Sequence, residues 1–273
     1  MAAAQDLIRT ALLAAQSEAA GLDAADQALT VIAVQMNAVE GLTPLQRGRA
    51  LERALMSPYP VGFFRALRAC AGLKRLLPEL DTLFGVPHLA DGPEPVDIGE
   101  HQLRVLTEAA RRNAPLPVRF AALVHKIGMG DTPRACWPSH VGHEARGHGR
   151  LLALAERMLL PADAIDLATL TIAECDRIHR ASEMRAGPIA ALLERVQAQA
   201  QPARFEQLIE VCICDYAAYP GHGEADYVKA PRMRRALAAY LSVGEPLEPA
   251  ALLEARAHAI ARIWSRPASQ SES

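Results

Sequence analysis

The chain has 273 residues, of which 51% are hydrophobic, and a formal net charge of −2. This length allows one large domain or two small ones with a substantial apolar core. The near-neutral charge excludes a global attraction to polyanions, so any RNA contact must come from local basic patches. Ala and Leu, the best helix formers, are abundant and aromatic residues make up only 4%. The composition therefore predicts an all-α protein.

The cysteine pattern and the N-terminal sequence indicate a cellular location. Five Cys residues, none in C-x-x-C spacing, exclude a disulfide framework and a zinc knuckle and are typical of a reducing compartment. The first residues lack the basic and apolar regions of a secretory signal. No apolar stretch reaches the ~20 residues of a membrane span. We expect a cytoplasmic protein without membrane contact, and its oligomeric state stays open.

Helical spacing of apolar residues begins at the N-terminus. It predicts helices over 2–20 and 24–38, with Gly21 ending the first. Thr43 and Pro44 suit the N-cap and first turn of a third helix. A fourth begins at Phe63. The Pro- and Gly-rich loop over 85–99 is the best internal boundary.

Helices recur after this loop, and most are bounded by Pro or Gly. They are predicted at about 99–113, 117–127, 142–160, 162–180, 188–198, 202–218, 230–243 and 248–264. No segment alternates with period two, so no strand is predicted. The other long irregular stretches are 128–141 and 219–230. The Ser-rich end, 265–273, is predicted to be a flexible tail.

Two histidines and a carboxylate stand out as candidate site residues. His101 begins one predicted helix, His125 lies near the end of the next, and Asp215 lies inside the apolar stretch LIEVCICDYAAY. A carboxylate among such neighbours should be paired, bound to a metal or protonated. Helical bundles build metal sites by directing such groups inward from several helices. The alternative is that each is an ordinary hydrogen-bonded core residue.

Longer segments carry a family resemblance. They are FFRALRACAGLKRLLPELDTLFGVPH, DIGEHQLRVLTEAA, VRFAALVHKIGMGDTP, WPSHVGHEARGH, AECDRIHRA, CDYAAYPGHGEADY and WSRP. In order and spacing over about 40–264 they resemble the C-terminal part of the bacterial multifunctional CCA-adding enzymes, tRNA nucleotidyltransferases with an HD domain. The resemblance implies an HD-like helical bundle. It divides the chain into a helical neck-like segment (1–88), a degenerate HD-like domain (89–220), C-terminal helices (221–264) and the tail.

The catalytic head of that family has no counterpart in the sequence. The resemblance implies a head with an Asp-x-Asp pair that holds two magnesium ions, and a neck motif EDxxR that selects the incoming nucleotide. Neither pattern occurs in this chain. The chain is therefore not expected to add CCA by itself.

The HD pattern itself is altered. The family order H…HD…H…H…D, carried over residue by residue, retains His101, His125, His143 and Asp215. The Asp that follows His125 is replaced by Lys126, and a further His position by Cys175. The family's Gly-Lys-Gly reads Gly128-Met129-Gly130.

Lys126 argues against a bound metal. An ammonium donates hydrogen bonds, accepts none and repels a cation, whereas a divalent ion needs the oxygen of the missing Asp. We expect no metal cofactor and a vestigial site without confident catalytic residues. Lys126 either pairs with Asp215 or extends to solvent. If the site were functional, its ligands would be His101, His125, His143 and Asp215 and its ion Ni, Mg or Mn. A zinc ion bound through Cys175 is a further alternative.

Basic residues suggest a place for RNA. Lys229, Arg232, Arg234 and Arg235 lie at the start of the predicted helix 230–243, and Arg65, Arg68, Lys74 and Arg75 lie in or after the fourth helix. The resemblance to the CCA-adding enzymes implies that the regions after the head bind tRNA through its shape and backbone. Such binding needs contacts between basic side chains and phosphates. The alternative is a set of ordinary solvated helix faces.

Three functions remain open at this point. The favoured one is a non-catalytic or weakly active HD-like module that binds tRNA, another RNA or a partner protein. The second is a metal-dependent phosphohydrolase with 2′,3′-cyclic phosphodiesterase, 2′-nucleotidase or phosphatase activity, as the resemblance implies. The third is the body subunit of a split CCA-adding enzyme, with a nucleotidyltransferase head on another chain. Lys126 favours the first of these over the second.

Overall fold

The structure, a computed structural model, describes residues 2–18, 34, 37–89, 94–244 and 248–265. Within these ranges the regular structure is helical apart from one pair of two-residue strands. The predicted all-α class is confirmed. None of the helices in the described ranges is both long and apolar enough to cross a bilayer.

The described residues of the N-terminal part form five helices. They are α1 (Ala2–Leu13), α2 (Pro44–Leu55), α3 (Val61–Ala69), α4 (Gly72–Leu76) and α5 (Pro78–Asp81). Thr43 caps α2 as predicted, because its side chain accepts a hydrogen bond from the Gln46 amide. The first helix ends at Leu13, earlier than predicted, and most of the predicted helix 24–38 lies outside the described residues.

A short antiparallel ladder follows, and the prediction that the chain has no strand is wrong here. β1 (Pro87–His88) pairs with β2 (Val96–Asp97), with Pro87 opposite Asp97. Strands of two residues are too short to produce a readable period of two, so the sequence gives no signal for them. Asp97 then caps the next helix, since its side chain accepts from the Glu100 amide at 2.9 Å.

The remaining helices follow the predicted order, with ends close to the predicted ones. They are α6 (Ile98–Arg111), α7 (Leu116–Val124), α8 (His143–Arg157), α9 (Ala162–His179), α10 (Ala186–Arg195), α11 (Pro202–Ala217), α12 (Lys229–Leu241) and α13 (Pro249–Ser265). The stretch 128–141 contains 3-10 turns over Ile127–Asp131 and Arg134–Cys136. A third 3-10 turn, Glu224–Asp226, lies in 219–230.

Helix α7 is the centre of the bundle. Every residue from 117 to 124 is buried, and α6, α9 and α11 pack around the helix. A helix that is apolar on all sides must be enclosed by others. Its buried Arg119 donates to the carbonyls of Ala114 at 2.8 Å and Leu55 at 2.9 Å, which joins the N-terminal helices to this centre.

One cluster of buried apolar side chains extends from Ala4 to Ile260. The domain limits at residues 88 and 220 stay predictions. Of the predicted tail, only Ser265 is described, as the last residue of α13, and residues 266–273 lie outside the described ranges.

Gly128 allows the turn after α7 to approach α8. A Cβ at this position would overlap the backbone oxygen of His143 and the amide of Gly147. We predict that Gly128→Ala lowers the free energy of unfolding by about 1–3 kcal/mol, because the backbones must separate. Gly149→Ala on α8 is the control, since a Cβ at position 149 meets nothing within 4 Å. Urea unfolding of both variants checks this, and equal stability of the two would contradict it.

Candidate functional site

Asp215 is the centre of the polar interior. It lies on α11 and is 1% exposed. His101 Nε2 lies 2.6 Å from Oδ1, while Lys126 Nζ and His179 Nε2 lie 3.1 Å and 2.9 Å from Oδ2. A buried carboxylate requires this kind of compensation. Burial opposes ionisation of Asp215, but Lys126, His125 and His101 outweigh it and hold its pKa well below the usual value.

Three helices place these groups. His101 is on the first turn of α6, and its ring is fully buried against Tyr219, with 4.1 Å between ring centres. His125 and Lys126 directly follow α7. Because α7 is enclosed on all sides, the residues that follow it point into the interior as well. The structure therefore brings together His101, His125 and Asp215, three of the residues that the sequence singled out as candidates.

Lys126 forms the ion pair that was one of its two predicted placements. It is 3% exposed, so extension to solvent is excluded. Burial disfavours the ammonium, but Asp215 and, to a smaller extent, Tyr219 and Asp176 raise the pKa of Lys126 well above its usual value. Lys126 therefore carries a permanent positive charge beside Asp215.

His125 lies beside the same carboxylate without joining its hydrogen bonds. Its Nε2 is 3.2 Å from Asp215 Oδ1 but has no hydrogen-bond partner among the described residues. Its Nδ1 lies 3.1 Å from the Ala122 carbonyl oxygen. Burial lowers the pKa of His101 to about 4, so His101 is a neutral donor to Asp215.

His179 is a site residue that the sequence analysis missed. It follows Cys175 by four residues on α9, a spacing that places both on one helix face and was a readable signal. Its Nε2 contacts Asp215 and lies 3.3 Å from Cys175 Sγ, while the Tyr227 hydroxyl is 2.9 Å from its Nδ1. Burial opposes its protonation, but Cys175 and Asp215 raise the pKa of His179 to about 10.

Cys175 lies beside His125 and Asp215, with ligand atoms within 4.8 Å of one another, whereas His143 contacts other residues. His143 Nε2 is 3.5 Å from Asp176 Oδ2, and its Nδ1 is 3.0 Å from the His140 carbonyl oxygen. Burial, partly offset by Asp176, lowers the pKa of His143. Cys175 Sγ lies 3.4 Å from Cys212 Sγ, a second residue that the sequence analysis missed.

A cleft of about 690 Å³ opens over these groups. Lys126 and Asp215 lie at its base, and Met129 also lines it. Arg180 and Lys229 add positive charge to its wall, and Asp176, Glu144 and Glu183 add negative charge. The cleft is therefore polar and mixed in charge.

The basic residues predicted for RNA have different surroundings. Lys229 lines the cleft and lies 5.6 Å from the centre of the Tyr216 ring. Arg232 stacks on Trp264 at 3.6 Å, Arg234 Nε pairs with Glu206 at 2.9 Å, and Arg235 donates to the Ile263 carbonyl at 3.3 Å.

The N-terminal basic residues line a separate groove. Arg65 pairs with Glu100 at 3.4 Å, and Arg68 lies over the Phe84 ring at 4.0 Å. Lys74 lines the same groove, whereas Arg75 forms an ion pair with Glu40. Whether either basic set contacts RNA remains a prediction.

Comparison with known proteins finds relatives that share the name multifunctional CCA protein. The chain is 39% identical over 239 residues to the multifunctional CCA protein of Nitrosospira multiformis, which covers 87% of the chain and 57% of that protein. Identity to the Laribacter hongkongensis protein of the same name is 42% over 205 residues, with 75% and 51% covered. The chain is 41% identical over 228 residues to the Cupriavidus taiwanensis protein of the same name, and the match covers 84% of the chain and 54% of that protein. No family model matches.

The chain is related to the bacterial multifunctional CCA proteins. It spans about half the length of these curated relatives, consistent with their C-terminal portion. The resemblance seen in the sequence is thereby confirmed.

The residues around Asp215 do not fit the divalent ion that the CCA protein relationship implies. Asp215 supplies a single negative charge, to which the three imidazoles beside it add none, and Lys126 cancels this charge from 3.1 Å. A dication 4–5 Å from the ammonium would be repelled by roughly 6–8 kcal/mol at an effective dielectric of about 20. The ammonium therefore supplies the positive charge that a metal would otherwise bring.

Removal of Lys126 tests how far the interior depends on this charge. We predict that Lys126→Met lowers the free energy of unfolding by about 3 kcal/mol at neutral pH, because Asp215 loses a buried partner. The double variant Lys126→Met with Asp215→Asn should be more stable than the single variant, because it removes the unpaired charge. Urea unfolding measures both, and a single variant as stable as the parent would contradict the expectation.

Proposed function

We propose that this chain is a helical module that binds tRNA or another RNA and does not hydrolyse phosphoesters with a divalent metal. The observation that carries the proposal is the buried ion pair of Lys126 with Asp215, at 3.1 Å. Metal-dependent hydrolysis requires an ion that polarises the phosphoryl oxygen and generates hydroxide from water. An ammonium provides no open coordination position and no bound water.

The residues at the base of the cleft do not replace a metal-bound hydroxide. Lys126 stays protonated and so cannot act as a base. His101 is fully buried and hydrogen-bonded to Asp215, so it does not reach a water molecule in the cleft. A general base must lie within hydrogen-bond reach of the proton that it removes. The arrangement supports binding rather than turnover.

RNA binding is supported by the relationship and by the rim of the cleft. The related proteins are multifunctional CCA proteins, and the family resemblance implies contact with the tRNA body. Lys229 at the rim lies near Tyr216, whose ring stacks on His222 with centres 4.3 Å apart. Cationic groups next to half-buried aromatic rings suit a phosphate and an unstacked base.

The structure bears differently on the two alternative functions, a phosphohydrolase and a subunit of a split enzyme. An active phosphohydrolase requires a metal beside Lys126, which the charge balance opposes. A body subunit of a split CCA-adding enzyme remains a prediction, since no contact of the described residues bears on a separate head.

Metal-dependent turnover tests the first part of the proposal. We expect that Mg²⁺, Mn²⁺ and Ni²⁺ do not stimulate hydrolysis of a 2′,3′-cyclic nucleotide by the parent. Lys126→Asp restores an anionic ligand, so this variant should take up Mn²⁺ and be stabilised by it in thermal unfolding. Lys74→Asp, an exposed position, is the matched control and should do neither. Metal-stimulated turnover by the parent would reject the proposal.

Salt dependence tests the second part. Binding of a tRNA transcript, followed by fluorescence anisotropy, should weaken as salt rises, because phosphate contacts release counterions. Lys229→Gln should reduce the slope of log K against log salt by about 1. Arg204→Gln is the control, since Arg204 is already paired with Asp166 at 2.9 Å. The RNA proposal fails if the parent does not bind at low salt or if both variants have the parent's slope.

A further inference from the structure

We infer that Cys175, His179 and Cys212 form a binding site for a thiophilic metal ion of the zinc class. Their ligand atoms lie within 4.8 Å of one another. Cys175 is 2% exposed and Cys212 is 0% exposed. The site adjoins the carboxylate centre, because His179 Nε2 also lies 2.9 Å from Asp215 Oδ2 and would give up that contact to bind the ion. The inference does not depend on the proposed function, because two of the three ligands are thiols that the proposed function does not use.

The spacing of the three atoms suits one ion. Cys175 Sγ lies 3.4 Å from Cys212 Sγ and 3.3 Å from His179 Nε2. Zinc bonds of ~2.3 Å to sulfur and ~2.0 Å to nitrogen, at tetrahedral angles, separate two sulfurs by ~3.8 Å and sulfur from nitrogen by ~3.5 Å. The observed separations are slightly shorter than these, so a small outward rotation of the side chains admits the ion.

Two rigid elements hold the ligands. Cys175 and His179 are four residues apart on α9, so they share a helix face. Cys212 is on α11, which packs against α9. A site on packed helices is more precisely positioned than a site on loops.

The second ring nitrogen of His179 has the partner expected of a metal ligand. The Tyr227 hydroxyl lies 2.9 Å from Nδ1, and Tyr227 is buried. Such an outer partner fixes the ring orientation and leaves the other nitrogen to the ion. Here it directs Nε2 toward both Asp215 Oδ2, at 2.9 Å, and Cys175 Sγ, at 3.3 Å.

The charge balance differs from that at Asp215. Metal binding releases the protons of Cys175 and Cys212 and the proton on His179 Nε2, which otherwise faces Asp215. The two thiolates then carry two negative charges, which neutralise a dication. The adjacent pair of Lys126 and Asp215 is already neutral as a unit. His179 lines the cleft, which gives the ion an entry path.

Cobalt substitution tests the site in the reduced full chain. Titration with Co²⁺ should produce a near-ultraviolet thiolate-to-cobalt absorption that saturates at one equivalent and is abolished by Zn²⁺. Cys175→Ser and Cys212→Ser should each weaken binding at least tenfold, and Tyr227→Phe should weaken it about 10–100-fold. Cys214→Ser is the matched control, because Cys214 is also buried on α11 but belongs to none of the ligand groups.

Two results would overturn the inference. One is the absence of thiolate-to-cobalt absorption in the parent, and the other is parent-like absorption in both Cys175→Ser and Cys212→Ser. X-ray absorption of the zinc-loaded parent needs no variant, and it should show two sulfur ligands at ~2.3 Å. A spectrum without sulfur ligands would also reject the site. Since RNA binding is measured separately, failure of the metal site leaves the proposed function intact, and the reverse also holds.

Discussion

The structure depends on how it compensates one buried negative charge. Asp215 lies in the apolar interior on α11, where an isolated carboxylate would be strongly destabilising. Lys126 neutralises it from the end of α7, and His101 and His179 complete its hydrogen bonds from α6 and α9. The helices that surround α7 are thus joined at a single carboxylate as well as by apolar packing. The pKa directions agree, since Asp215 is held ionised and Lys126 protonated.

The sequence predicts most of the helices because their ends carry strong local signals. Thr43 caps α2, and Pro or Gly lies near most of the other ends. The two-residue strands had no such signal, because their pairing is set by the chain reversal before α6 and not by a local pattern. The relationship to the CCA proteins was also readable, because it rests on several long segments and not on one short motif.

The site was only partly predictable, for a physical reason. His101, His125 and Asp215 are flanked by apolar residues, which indicates that their side chains point inward. Two placements of Lys126 remained open because a lysine stem suits both an apolar interior and a path to solvent. Burial of α7 on every side decides between them, and that is a tertiary property. His179 and Cys212 were missed, although each lies three or four residues from a residue that the sequence had singled out.

Lys126 contributes to the charge balance of this centre and not to any metal coordination, because an ammonium accepts no hydrogen bonds and repels a cation. A neutral residue at position 126 would leave Asp215 with imidazoles alone, and the fold would lose a buried charge partner. Lysine balances the charge of Asp215 and therefore helps to keep the helices joined, but its ammonium offers no coordination position of the kind that metal-dependent hydrolysis needs. The cysteine pair beside it brings its own negative charge on metal binding, so a thiophilic ion there does not require the lysine to leave.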